Sequence, residues 1–145
     1  MTRSLRPRSD AVGKLDADDA FIALLIAAMD ASGHVSAEEA ARAHNIIWSM
    51  RRFRHRSGDA VGRKIERMRT LVEKHGASPV IEAAARQIPT RLLGAAFAVA
   101  ADLVLVDGRM ERLEGRFLRG LAADLGLDQQ TAKNILDVMR TKNSA

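Results

Sequence analysis

Four carboxylate residues lie close to two glycines in the sequence, and their spacing could support metal binding. They are Asp30 and Glu39, on either side of Gly33, and Asp107 and Glu114, on either side of Gly108. We call the two segments, residues 30–39 and 107–114, the acidic corners. Carboxylate oxygens are the ligands that hard divalent cations such as calcium and magnesium prefer in proteins. If the acidic corners lie together in the fold, these carboxylates are candidate ligands of a divalent cation.

The same residues also have a purely structural interpretation. Glu39 and Glu114 each lie where the third residue of a helix is expected, and a glutamate there can hydrogen-bond back to the residue that caps the helix. An aspartate directly before glycine, as at Asp107, is common in turns. A complete calcium loop of the EF-hand type is not expected, because its first ligand positions would be Leu103 and Ala28. Helix capping and a shared cation site are therefore both open interpretations.

The rest of the chain contains no pattern typical of a catalytic site. Its histidines are His34, His44, His55 and His75. Their spacing fits neither a metal site nor a catalytic base, and Asp102 does not share a helix face with Asp107. The chain has no cysteine, which excludes thiolate metal ligands and cysteine nucleophiles. Because no phosphate-binding loop or nucleophile motif is present either, we predict that the protein is not an enzyme.

A basic segment in the middle of the chain accounts for the net charge of +5. Residues 51–69 contain eight arginines and lysines and two acidic residues. The densest part is Arg51, Arg52, Arg54 and Arg56. Such a segment can bind nucleic acid or an anionic membrane surface. Because only Trp48 and Phe53 lie among these cations and no nucleic-acid-binding motif accompanies them, we favour a solvated basic surface and keep binding as the alternative function.

Composition and apolar periodicity predict an all-α fold. Aromatic residues make up only 3% of the 145 residues and alanine is abundant, which favours closely packed helices over strands. We expect a single-domain bundle of about seven helices over residues 16–141, preceded by a mobile basic tail at residues 1–15. The longest apolar run, residues 92–106, contains Asp102 and is too short to cross a bilayer. We therefore expect no transmembrane segment and a cytoplasmic protein.

Capping residues and apolar spacing predict where the helices begin and end. The first helix should start near Asp16, with Asp18 and Asp19 at its positive end and one apolar face toward the core. Three residues are expected to cap later helices and two glycines to end them. The expected caps are Asp59, Ser78 and Asp128, and the glycines expected to end helices are Gly76 and Gly126. The helix pair in residues 91–127, joined by the second acidic corner, is expected to organise the chain.

A weak internal repeat relates the two acidic corners. An alignment without a gap pairs Gly33 with Gly108 and Glu39 with Glu114. Each half of the repeat is an apolar helix, a corner and a second helix. The repeat therefore predicts two helix-corner-helix units that pack with approximate two-fold symmetry.

The segment ADLVLVDGRMERLEGRFLRGLAADLGLDQQTAKNIL resembles the TerB-like family. This family includes tellurite-resistance proteins and is similar to the N-terminal part of a membrane-anchored DnaJ-type co-chaperone. Its pattern is Ala-Asp-Gly, then a capping residue, a Glu and a leucine-periodic helix. The pattern is matched by Asp107, Gly108, Glu111 and Glu114. The earlier segment SGHVSAEE is similar to the first-half counterpart, and the likeness covers residues 21–139.

The resemblance implies an all-helical fold with pseudo-symmetric halves and an acidic surface able to bind a metal ion. It also implies a role in tellurite or general chemical stress through a protein partner, which could be membrane-associated, rather than through catalysis. Ser32 stands where the family usually has Asp, which removes one carboxylate from the first acidic corner. The predicted function is a non-enzymatic module that binds a partner protein and a divalent cation such as calcium or magnesium.

Overall fold

The described part of the chain consists of helices and connecting turns, with no β-strand. The computed structural model describes residues 8–31, 37–105 and 112–145. Its α-helices are α1 (Ala17–Ala31), α2 (Ala37–Ser49), α3 (Gly58–His75), α4 (Ala77–Gln87), α5 (Leu93–Val104), α6 (Arg112–Asp124) and α7 (Gln129–Asn143). Two short 3-10 helices, Arg8–Val12 and Thr90–Leu92, precede α1 and α5. The predicted all-α single-domain bundle of about seven helices is confirmed.

α1 forms the centre of the bundle. Residues 18–28 are all buried, and α1 packs against α2, α3, α4 and α5. A helix that is apolar all round must be covered on every side. The prediction of one apolar face on this helix was therefore wrong.

The surrounding helices are amphipathic and turn one face toward α1 or α5. On α3 the buried side chains are Val61, Ile65, Met68 and Val72, which recur at helical spacing. On α7, Ala132 and Leu136 are buried, and the helix packs against α5. One apolar stripe per outer helix is enough to cover the central helices.

Three of the predicted helix ends are confirmed. Asp128 caps α7 by accepting hydrogen bonds from the Thr131 backbone N–H at 2.9 Å and from its hydroxyl at 2.7 Å. Gly76, with φ of 85°, ends α3. Gly126, with φ of 71°, follows α6 and lets the Leu127 N–H reach the Ala122 carbonyl at 3.0 Å.

The predicted cap of α3 was wrong. Ser57, not Asp59, caps the helix: its hydroxyl accepts the Ala60 backbone N–H at 3.2 Å. Asp59 is the second helical residue. Both residue types can cap a helix, and the extended backbone of Ser57, with ψ of 146°, gives it the role.

The predicted start of α4 was also displaced. The helix begins at Ala77, directly after Gly76, so Ser78 lies inside the helix and does not cap it. Pro79 is then the third helical residue. Proline is tolerated there because the N–H groups of the first turn have no partner within the helix.

Residues 8–15 require another correction. We expected them to belong to a mobile tail, but they contain a 3-10 helix that packs against α4 and α3. Val12 and Leu15 are buried, and the Ser9 hydroxyl accepts a hydrogen bond from the Arg86 guanidinium at 2.8 Å. These short apolar and polar contacts were not visible as a periodic pattern. Residues 1–7 lie outside the described residues.

No single helix in the described part of the chain has the length and apolarity that a membrane span requires. α4 and residues 90–104 meet this requirement only together, as a pair bent by 118°.

Candidate functional site

The structure describes part of each acidic corner. Asp30 is exposed, one residue before the end of α1. It lines a small cavity of about 80 Å³ between α1 and α3, together with Arg69 and Glu73. Glu114 is the third residue of α6, as expected for a capping glutamate, and is partly buried.

The other two candidate ligands cannot be compared with the prediction. Asp107 lies outside the described residues, and for Glu39 only the backbone, in the first turn of α2, is described. Among the side chains that are described, no three His, Asp or Glu residues are arranged to hold a metal ion. The four-carboxylate cation site therefore stays a prediction.

An unexpected cluster of charges lies at the start of α1. Asp18 and Asp19 are only 8% and 4% exposed. Asp18 forms ion pairs with Arg52 and Arg56, each at 2.5 Å. Burial of a carboxylate costs several kcal/mol unless it is paired, and Asp18 meets this requirement with two guanidinium groups.

Asp19 is neutralised in the same way from a different helix. Its carboxylate lies 2.9 Å from the Lys64 ammonium and 2.7 Å from the Arg67 guanidinium, both on α3. The hydrogen bond to Asp19 raises the pKa of Lys64 although partial burial opposes this. Asp19 thereby links the first turn of α1 to the middle of α3.

Asp16 completes this charged end of α1 as its capping residue. Its carboxylate accepts the Asp19 backbone N–H at 2.7 Å. That hydrogen bond lowers the pKa of Asp16 against the effect of partial burial, and the nearby Lys64 ammonium lowers it further. We refer to Asp16, Asp18, Asp19 and their four cationic partners as the charged lock.

The charged lock changes the interpretation of the basic segment. Arg52 and Arg56 are engaged with Asp18, and Arg52 also lies over the Phe21 ring, 5.3 Å from its centre. Phe53 is fully buried, so it is not available to stack on a nucleic-acid base. The expectation of a solvated face therefore missed that two of these four arginines pair with a buried carboxylate, although Arg56 remains 48% exposed.

The other arginines of this run differ from their neighbours. Arg51 and Arg54 are exposed, and the ion pairs found among the described residues do not include them. Sequence reasoning missed the distinction. One signal could have revealed it: two aspartates begin a helix that has no polar face, so each needs a cationic partner from elsewhere.

Asp102 forms a second polar connection, between three helices. Its carboxylate accepts hydrogen bonds from the Asn143 amide at 2.8 Å and the Lys142 ammonium at 3.0 Å, and Arg42 lies at 3.5 Å. Burial by itself would raise the pKa of Asp102, but these three groups together lower it. Asp102, which does not share a helix face with Asp107, thus joins α5 to α2 and α7.

Comparison with known proteins connects these features to a family. The profile of a family described as tellurite resistance protein TerB matches residues 18–137, which is most of the chain. The match begins at Asp18 and includes both acidic corners. No curated protein and no solved structure shows a significant match. The family resemblance predicted from the acidic corners is confirmed, and the chain belongs to the TerB family of tellurite-resistance-related proteins.

Proposed function

We propose that this protein is a non-enzymatic TerB-family module that acts in a tellurite-related stress response by binding a partner protein. We propose further that its acidic corners bind a divalent cation, calcium or magnesium. The observation that carries the proposal is the family match over residues 18–137. That range includes all four candidate carboxylates, which are Asp30, Glu39, Asp107 and Glu114.

The donor chemistry and the helix packing support the cation part of the proposal. Carboxylates are suitable ligands for a hard cation. In the sequence, the first acidic corner begins at the end of α1 and the second follows α5, and these two helices pack against each other. Asp30 is exposed and takes no part in the charged lock. A bound cation would draw the two corners together and stabilise the folded state.

A thermal unfolding experiment tests the cation part. Melts of the wild type and of Asp107→Asn and Glu114→Gln are recorded with chelator and with millimolar calcium or magnesium. The cation should raise the melting temperature of the wild type, because a ligand of the native state stabilises it. Each substitution removes an anionic ligand and should abolish the rise.

A matched control uses an exposed carboxylate outside the corners. Asp137→Asn on α7 makes the same charge change and should keep the full cation response. If the cation shifts none of the four melts, or shifts all of them equally, the corner carboxylates are not a cation site. The proposal then reduces to partner binding.

The alternative function, binding of nucleic acid or an anionic membrane surface, now depends on Arg51 and Arg54. Both take part in none of the ion pairs found among the described residues, whereas Arg52 and Arg56 neutralise Asp18. Two arginines that are unpaired within the described part of the chain are a weaker anion-binding surface than the four that the sequence suggested. The partner-binding function is therefore preferred.

A further inference from the structure

The exposed face of α6 carries three arginines in one row. Arg112, Arg116 and Arg119 are spaced by four and three residues, so they lie along the same side of the helix. All three are exposed, and none takes part in the ion pairs found among the described residues. At 1.5 Å per residue the row extends over about 10 Å. We call it the arginine row.

The arginine row differs from the basic residues of the charged lock. The four cations of the charged lock each neutralise a buried aspartate within the fold; they are Arg52, Arg56, Lys64 and Arg67. The arginines of α6 have no carboxylate partner within the described structure. Their charges are therefore available to a partner molecule, and guanidinium groups match carboxylates in a bidentate geometry.

Two further features lie beside the arginine row. Leu113 is 75% exposed, more than Val138 at 60%, the other exposed large apolar residue in the described part of the chain. Gly120, one residue after Arg119, has open space where a side chain would be. Leu113 and Gly120 are seven residues apart, so they lie about 10 Å apart on the same side of α6. This side of the helix offers an apolar contact near one end of the arginine row and open space near the other, and an amphipathic partner helix could use both.

We propose that this face of α6 binds an acidic amphipathic helix of the partner protein. The partner helix would present carboxylates at matching intervals of four and three residues to the arginine row, and an apolar side chain to Leu113. This inference deepens the proposed partner-binding function and rests on it.

A peptide fits this face better than a phosphate-bearing surface does. Nucleic acid would satisfy the arginines but would leave Leu113 without an apolar contact. A membrane-surface helix needs a broad apolar face as well as cations. On α6 the one exposed large apolar residue is Leu113, and Phe117 is partly buried against the core. An acidic helix satisfies both the charges and the leucine.

The test selects helical peptides from a display library on the full-length protein at physiological salt. Enriched peptides should carry Asp or Glu at intervals of four and three residues, with an apolar residue beside them. The triple variant R112Q/R116Q/R119Q should bind them at least about tenfold more weakly, since each lost charge pair weakens binding by a modest factor and the factors multiply. Leu113→Ala should weaken binding several-fold without changing the charge.

The control variant R51Q/R54Q/R63Q has the same net charge but changes exposed arginines elsewhere. It should retain wild-type affinity. If both triple variants lose binding equally, if the selected peptides lack the acidic spacing, or if nothing is enriched, the inference is wrong. The inference is also wrong if the wild type binds a short DNA duplex or phosphatidylserine vesicles instead of the peptides and R112Q/R116Q/R119Q abolishes that binding.

The two proposals fail separately. R112Q/R116Q/R119Q leaves the candidate cation ligands intact, so its melting temperature should still respond to calcium or magnesium if the wild type does. A normal cation response without peptide binding would refute only the arginine row as a docking site. Peptide binding without any cation response would refute only the cation site.

Discussion

The Asp19 carboxylate and the Lys64 ammonium lie 2.9 Å apart, and this contact joins the first turn of α1 to the middle of α3. Asp19 is 4% exposed and lies at the edge of the buried central helix. A second cation, Arg67, approaches the same carboxylate from the next turn of α3. The relative position of the two helices therefore depends on charge pairing as well as on apolar packing.

Asp19→Asn should destabilise the protein. The substitution removes the charge that both cations neutralise, while the amide oxygen can still accept one hydrogen bond. We expect the free energy of unfolding to fall by about 1–3 kcal/mol, because Lys64 and Arg67 can turn partly toward solvent. Urea denaturation measures the change. Asp59→Asn, an exposed carboxylate in the first turn of α3, is the control and should cost less than about 0.5 kcal/mol. Equal effects of both substitutions would contradict a structural role for the charged lock.

Asp102→Asn should make the free energy of unfolding less dependent on pH in the acidic range. The pKa of Asp102 is lower in the folded protein than its ordinary value of 3.8. The ionised carboxylate therefore stabilises the fold fully above pH 3.8, and this contribution is lost as the pH falls through the lowered pKa. We expect a loss of about 0.5–1.5 kcal/mol at neutral pH, since the partners are partly exposed. The loss should disappear in strong acid. Melting curves across acidic and neutral pH provide the test, and a constant difference would argue against it.

Asp102→Asn should also loosen the end of α7. Lys142 and Asn143 are its hydrogen-bond partners there. Amide hydrogen exchange in the last turn of α7 should become faster, whereas exchange in α3 should be unchanged. Faster exchange throughout the protein would indicate a global effect instead.

Asp124→Asn should stabilise the protein slightly. Partial burial raises the pKa of Asp124, and the nearby Glu82 carboxylate raises it further. The folded state therefore holds the proton more tightly than the unfolded chain, so the ionised group opposes folding at neutral pH. Asp124 is also the last residue of α6, where a negative charge is unfavourable. We expect a gain of only a few tenths of a kcal/mol at neutral pH, because much of the side chain stays in contact with solvent, which screens its charge. The gain should vanish in strong acid; a loss of stability at neutral pH would disprove the interpretation.

The two halves of the arginine run should respond differently to substitution. R52Q/R56Q leaves Asp18 buried and unpaired, and should lower the free energy of unfolding by about 3 kcal/mol. R51Q/R54Q changes exposed side chains and should stay within about 0.5 kcal/mol of the wild type.

Heparin chromatography of R51Q/R54Q then decides the alternative function. Because this variant is expected to remain folded, a loss of salt-dependent retention would support an anion-binding surface. Unchanged retention would remove that function.

The sequence by itself determined the helices and the family. Helix boundaries depend on hydrogen bonds between residues three or four positions apart, such as that from Thr131 to Asp128, so local patterns are enough to predict many of them. For the same reason Glu39 and Glu114 could be assigned to the third position of their helices. The order and spacing of the corner residues predicted the TerB family. Whether the four carboxylates lie close together in the fold stays a prediction, because local spacing cannot decide it.

Only the tertiary structure decided which charges are internal. Asp18 meets Arg52 across 34 positions, and Asp19 meets Lys64 across 45. No periodic pattern connects residues that far apart, so Arg51 and Arg52 look alike in the sequence although one is exposed and the other neutralises a buried carboxylate. The central position of α1 was decided in the same way. An apolar helix can be recognised locally, but which neighbours cover it depends on how distant segments pack.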